Sequence, residues 1–242
     1  ASFLASRANE QIYNNATERT RIIYVCHYAG LIPAGPGKSH QSLRDIATLG
    51  AIPGMTIVQP CNAQETRLLT EYCVNDSRTT CVLRLNIGPS PRRIALPEDY
   101  RLVPGRGIVL ADGQDAILFG YGPVMLHEAL QAQERLQQQG VSLKVVNMPW
   151  LTQVDGPWLA EIVGACRAVY VLEDHGAVGG LAPRILERLV AQQLTDGLRF
   201  RQVAVEGHPA CGTPAEVLKF HGLDGASLAT RIVRDRQTVA PT

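Results

Sequence analysis

Short apolar runs alternate with longer amphipathic stretches along almost the whole chain. In the first third, RIIYVCH, MTIVQP and TTCVLRLNI are brief and rich in β-branched residues, the pattern of strands buried on both faces of a parallel sheet. The opening stretch places Phe3, Leu4, Ala8, Gln11 and Ile12 at helical spacing and predicts a helix over about residues 2–16. A second helix is predicted from Ser42 to about Leu49. A third begins where Asn62 can cap the run RLLTEYCV, with Glu65 three residues on in the capping-box position.

The rhythm breaks over residues 88–114, which hold four of the 15 prolines and show no sustained helical period. It then resumes with DAILFGYG as a strand, PVMLHEALQAQERLQQQG as a helix closed by Gly140, and SLKVVNMPW as a strand. PWLAEIVGAC, AVYVLED, GLAPRILERLVAQQL and RFRQVAV continue as helix, strand, helix and strand, and two helices close the chain near PAEVLKFHG and SLATRIVRDRQ. Strand and helix in alternation are the signature of α/β layering. The prediction is two three-layer α/β domains with mainly parallel sheets, residues 1–87 and 115–242, joined by a linker over 88–114. The second domain reads as complete, with four strands. The first shows three strands and no beginning, and the chain opens without Met inside a helical pattern, as a start within a longer protein would.

Composition narrows the function classes. With 242 residues, 45% hydrophobic and 19% charged at a net charge of +1, the chain reads as a globular protein with room for a sizeable core. No basic excess points to nucleic acid, and no apolar run approaches the roughly 20 residues of a membrane span. Six cysteines occur without a C-x-x-C pair, and four lie in apolar segments, so they read as reduced core residues of a cytoplasmic protein.

One stretch carries an apparent chemical signal. Gly37-Lys38-Ser39 ends like a nucleotide-binding P-loop, but the first glycine of that loop would fall on Ile32. Pro33 and Pro36 also remove N–H donors where a phosphate nest needs them. The P-loop is rejected.

Taken whole, residues 27–66, HYAGLIPAGPGKSHQSLRDIATLGAIPGMTIVQPCNAQET, resemble the central segment of transketolase-type enzymes that use thiamine diphosphate. That family shows a Gly-rich loop, G-P-T-H-Q, then a helix and a R-x-I-P-N/G-M-T-V-x-x-P segment. ASFLASRANEQI is similar to its T-F-x-x-F-x-x-R-A-x-D-Q-I helix, and the second alternation is similar to its carboxyl-terminal domain. The resemblance implies transfer of a two-carbon ketol unit from a ketose to an aldehyde, with thiamine diphosphate and Mg²⁺ in the complete enzyme. It further implies that Phe3 packs on the cofactor's aminopyrimidine ring and that His27 and His40 do catalytic work near the substrate. Arg84 would grip a sugar phosphate. An imidazole suits proton transfer because its ordinary pKa lies near neutrality. His175 and Gly120-Tyr121-Gly122 fall where the family has no active-site residue and read as turns and packing.

Departures from the pattern qualify this picture. The loop GPGKSHQ is two residues longer than G-P-T-H-Q, and IPAG replaces the G-x-D-G whose Asp touches a substrate hydroxyl. Ile87 stands where one version of the family has a second arginine. The resemblance places the catalytic glutamate ahead of Ala1, and the metal–diphosphate ligands in another, more amino-terminal domain. The expected partners are therefore a diphosphate-binding domain or subunit, further copies of this chain, and a sugar phosphate or related ketose. The chain alone is expected to be inactive. A β-type subunit of a 2-oxo acid dehydrogenase, or a non-catalytic assembly module, is the alternative.

Overall fold

The structure is a computed structural model that describes residues 1–87, 90 and 92–237. Gly88, Pro89 and Pro91, at the start of the expected linker, lie outside the described residues.

The first three apolar runs form β1 (Ile23–Cys26), β2 (Thr56–Val58) and β3 (Cys81–Arg84), a parallel sheet in the order β1-β3-β2. The opening helix is broken at Ala8 (φ −94°, ψ 10°) into α1 (Ser2–Arg7) and α2 (Asn9–Thr17). Helix α3 (Asp45–Gly50) links β1 to β2. Helix α4 (Ala63–Glu71) follows β2 and runs on into a π-helical turn, Tyr72–Asp76. Asn62 caps α4 as expected, its Oδ1 accepting from Glu65 N at 2.8 Å. Glu65 does not close the capping box: its carboxylate reaches back to Cys61 N at 2.7 Å.

The second sheet has five strands where the sequence showed four, in the order β4-β6-β5-β7-β8. They are β4 (Ile108–Ala111), β5 (Ala116–Gly120), β6 (Leu143–Asn147), β7 (Ala168–Gly176) and β8 (Arg199–Val205). β4 lies inside the stretch expected to be linker and pairs antiparallel with β6 at the sheet edge, whereas the other pairings are parallel. Its four residues are all half-buried, so it has no alternating signature for a sequence reading to catch.

Period-2 alternation sorts this sheet's side chains onto two faces. Ile117, Phe119, Val169 and Val171 join the buried cluster that includes α6 (Gly156–Val163) and α7 (Leu181–Ala191). Leu118, Tyr170 and Leu172 join the cluster that includes α5 (Gly122–Gln137) and α9 (Gly225–Gln237), with α8 (Pro214–Phe220) alongside. Neither cluster stops at the domain junction. The first also holds Ile46, Leu49, Ile57 and Leu69 of the first domain, and the second holds Leu31, Ile32, Ala34 and Cys61. The segment after β6 adds an antiparallel bridge, Val58 to Trp150, along the edge of β2.

No helix among the described residues is long and apolar enough to cross a membrane. All six cysteines are free thiols: Cys26, Cys61, Cys73 and Cys81 are buried, Cys166 is half-buried and Cys211 is exposed.

Candidate active site

β1 ends at Cys26, and the chain leaves the sheet's carboxyl edge through His27 and Tyr28 into the Gly/Pro-rich loop. His27 is exposed. Tyr28 turns the chain with φ +61°, a left-handed conformation rare outside glycine, and Gly30 follows at φ +82°. The loop closes on itself where Ser42 N donates to Gly30 O at 2.9 Å. His40 sits near its end, half-buried, its backbone N–H on Gly37 O at 3.0 Å and its Nδ1 3.3 Å from Ser39 Oγ.

Helix α1 lies over this loop. Ser2 Oγ donates to Ser39 O at 2.8 Å, and the Ala1 amino group donates to His27 O. These contacts set the Phe3 ring edge-on to His40 with centroids 4.9 Å apart, while the Arg7 guanidinium lies 4.5 Å from the Phe3 centroid. Tyr28 stands tilted against His40 at 6.0 Å. Three of the four expected site residues thus come together: Phe3 and His40 in ring contact, and His27 through its backbone. Tyr28 is an addition that the sequence reading missed. Its signal is a backbone angle, which no side-chain pattern announces.

Arg84 corrects the expectation made for it. The residue is 0% exposed and its guanidinium is already fully occupied. Nε donates to Asp45 Oδ2 at 2.8 Å, Nη1 to Asp174 Oδ1 at 2.8 Å and also to Gln59 Oε1, and Nη2 to Ser42 O at 3.2 Å. Asp45 belongs to α3 and Asp174 to β7, so Arg84 ties the two domains together and offers no free donor to a sugar phosphate. Burial works to raise the pKa of Asp45, but the Arg84 guanidinium beside it holds the carboxyl below its ordinary value. His175, also at 0% exposure, is lowered first by burial and then by Arg84. Tyr121 lies 5.8 Å beneath the guanidinium and is raised by its burial. The two segments read as turns and packing therefore surround a buried ion cluster at the domain junction.

A second buried carboxylate, Glu65, also spans the junction. Besides Cys61 N it accepts from Tyr100 Oη at 2.7 Å and Asn147 Nδ2 at 2.9 Å, and burial raises its pKa. A cavity of about 310 Å³ opens nearby between Asn62, Thr66, Asn86, Arg92 and Pro123. None of the four expected site residues lines it.

The Phe3 ring is 39% exposed and has the His40 imidazole at its edge, an apolar surface of the kind on which a flat aromatic ring can be laid. No group of three or more His, Cys, Asp or Glu residues placed to hold a metal lies among the described residues.

The transketolase pyrimidine-binding domain matches residues 1–88, and the transketolase C-terminal domain matches residues 105–228, starting ahead of β4. The chain belongs to the transketolase family. Within it, this chain corresponds to a carboxyl-terminal section or subunit. It is 30% identical to a transketolase C-terminal section of Methanocaldococcus jannaschii, covering 96% of this chain and 72% of that one. It is 28% identical to one of the subunits of the apulose-4-phosphate transketolase of Actinobacillus succinogenes, covering 94% and 72%. Of the 1-deoxy-D-xylulose-5-phosphate synthase of Chlorobium luteolum, 25% identical, it spans only 36%. Among solved structures it is similar to a split-gene transketolase described as an inactive β4 tetramer, with a TM-score of 0.84 and 27% identity over 96% of this chain and 73% of that one.

Proposed function

We propose that this chain supplies the pyrimidine-binding face of a transketolase-type enzyme that moves two-carbon ketol units, and that a partner domain or chain supplies the Mg²⁺ and diphosphate site. The observation that carries the proposal is the Phe3–His40 pair, 4.9 Å apart at the carboxyl edge of β1, with the Phe3 ring open to solvent. Thiamine diphosphate, when bound, supplies a nucleophilic carbon for the donor ketone. Phe3 offers the apolar surface on which a flat heteroaromatic ring is held out of water. His40 takes a hydroxyl proton from the donor as its carbon–carbon bond breaks, and returns a proton to the acceptor's oxygen as the new bond forms. His27, at the strand end, faces the same edge and orients hydroxyl groups. Arg84 being buried, the phosphate of any phosphorylated ketose has to be met by other residues, this chain's or the partner's.

The exposed edge of β1, where Val25 is 43% exposed, together with Tyr13 of α2 at 53% exposed, is the surface we assign to self-association or to the partner. The test mixes this chain with a diphosphate-binding transketolase subunit and follows ketol transfer from a ketose to an aldehyde. Transfer should require both chains, and His40→Ala should lower turnover by about 10²-fold. Micromolar binding of thiamine diphosphate and Mg²⁺ to this chain alone, measured by calorimetry, would overturn the division of labour. Unchanged turnover in His40→Ala would remove His40 from the mechanism.

A further inference from the structure

The loop that presents His40 is held from below, and most of what holds it belongs to the second domain. Leu31, Ile32 and Ala34, on the loop's outgoing limb, are buried in the same apolar cluster as Leu118, Leu172 and Val205. At the loop's base, Gly30 passes so close to Asp174 that a Cβ there would sit 1.8 Å from Oδ2. On the returning limb, Leu43 O accepts from Gly176 N at 2.8 Å. Gln41, next to His40 and only 4% exposed, spends both N–H groups at once: Nε2 donates to Leu31 O across the loop and to Ala210 O of the second domain, each at 3.0 Å. The tip, by contrast, is open to solvent at Gly35, Pro36, Lys38 and Ser39.

From this arrangement we infer that the second domain, from which none of the described ring or side-chain hydrogen-bond contacts of Phe3 and His40 comes, is the anchor that sets the position of His40, and that Gln41 is the positioning residue through which it acts. A loop of this length with free ends samples many backbone states, and ordering it costs entropy residue by residue. Burying one limb in a neighbouring core and tying the other by a two-pronged amide removes that freedom before substrate arrives. Displacement of a reacting group by about 1 Å is enough to cost about 10²-fold in rate. Gln41 is one peptide unit from His40, so its carboxamide controls that displacement directly.

The catalytic half of this inference rests on the role given to His40 above, and the test separates the two. Gln41→Ala is compared with wild type in the full chain, first by hydrogen exchange and then by turnover with the diphosphate-binding subunit. The protected amides of His40 and Ser42 should exchange at least about tenfold faster while β5 and β6 stay unchanged, and kcat should fall about tenfold with KM within about twofold. Gln41→Met keeps the volume and removes only the hydrogen bonds, and should do the same, which covers the case in which the alanine variant folds poorly. Unchanged exchange at His40 and Ser42 overturns the anchor whether or not ketol transfer is the reaction. Faster exchange with kcat intact overturns the positioning role of Gln41.

Discussion

Replacing Arg84 with methionine should unfold the junction and leave the substrate interaction untouched. The substitution keeps an unbranched apolar stem and deletes the guanidinium. Asp45 and Asp174, each 2% exposed, then face each other's field with no cation, and Gln59 Oε1 loses its donor. Breaking a buried ion pair by removing one partner costs about 3–5 kcal/mol, because the charge left behind is still out of water. Against a typical total stability of about 5–15 kcal/mol that is about a fifth or more. With a urea m-value of about 2–3 kcal/mol per molar for a chain of this size, the midpoint should fall by about 1–2.5 M. Tryptophan fluorescence follows the transition well, since Trp150 and Trp158 both sit in the cluster shared by the two domains and Trp150 meets Tyr72 edge-on at 4.9 Å. Arg84→Lys keeps a charge but loses the planar fork, and should fall between. A midpoint within about 0.3 M of wild type, together with a tenfold rise in KM for a phosphorylated ketose, would refute the buried clamp and restore Arg84 to the substrate site.

Two further predictions concern the second domain. His175 donates from Nδ1 to Gly176 O at 2.9 Å, and burial beside Arg84 holds its pKa below the ordinary 6.5, so the unfolded chain takes up this proton first as pH falls. Its neutral form therefore favours folding above about pH 6.5, and that contribution is lost on acidification by up to about 1.4 kcal/mol per pH unit. The stability gap between wild type and His175→Gln should accordingly shrink between pH 7.5 and 5.5 in denaturant titrations, and a constant gap would count against it. At Gly180 a Cβ would lie 2.0 Å from Oε2 of Glu173, whose carboxylate caps α7 by accepting from Leu181 N at Oε2 (2.5 Å) and from Ala182 N at Oε1 (3.1 Å). Gly180→Ala should cost about 1–3 kcal/mol in thermal denaturation, whereas Gly35→Ala, with nothing near the added methyl, should stay within about 0.5 kcal/mol; equal effects would refute the contact.

The elements that were legible in sequence are those whose burial is local. The run AILFG is apolar throughout because both faces of a central parallel strand are covered, and it appears as β5 where expected; β6, LKVVN, was still legible through its apolar Leu143, Val145 and Val146. β4 escaped because its apolar run, IVLA, is only four residues long and lies at the end of a proline-rich stretch without a sustained period, so it was absorbed into the linker. At the candidate site, Phe3 and His40 were singled out through motif likeness alone, and their ring contact, between residues 37 apart in the chain, is a property of the fold. Arg84 was misread for a physical reason. An arginine at a strand's carboxyl end looks available to a ligand, and of the two carboxylates that occupy it, Asp45 lies 39 residues away and Asp174 lies 90 residues away on another sheet. Long-range ion partners leave no local trace. The same holds for Glu65, whose capping position was visible but whose bonds to Tyr100 and Asn147 were not.

The cysteines give this chain a built-in reporter. Burial pushes the Cys26 thiol up to about 11 and raises Cys61 further, and Cys73 and Cys81 are sealed in the core even though a hydrogen bond from the Cys73 thiol draws Cys81 down. A thiol-directed fluorophore meets Cys211 first, because that side chain is exposed. It would then ride one residue from Ala210, whose carbonyl is held by Gln41. Anisotropy of a dye on the unmodified sequence would read, in real time, the tethering of the His40 loop when a partner chain arrives.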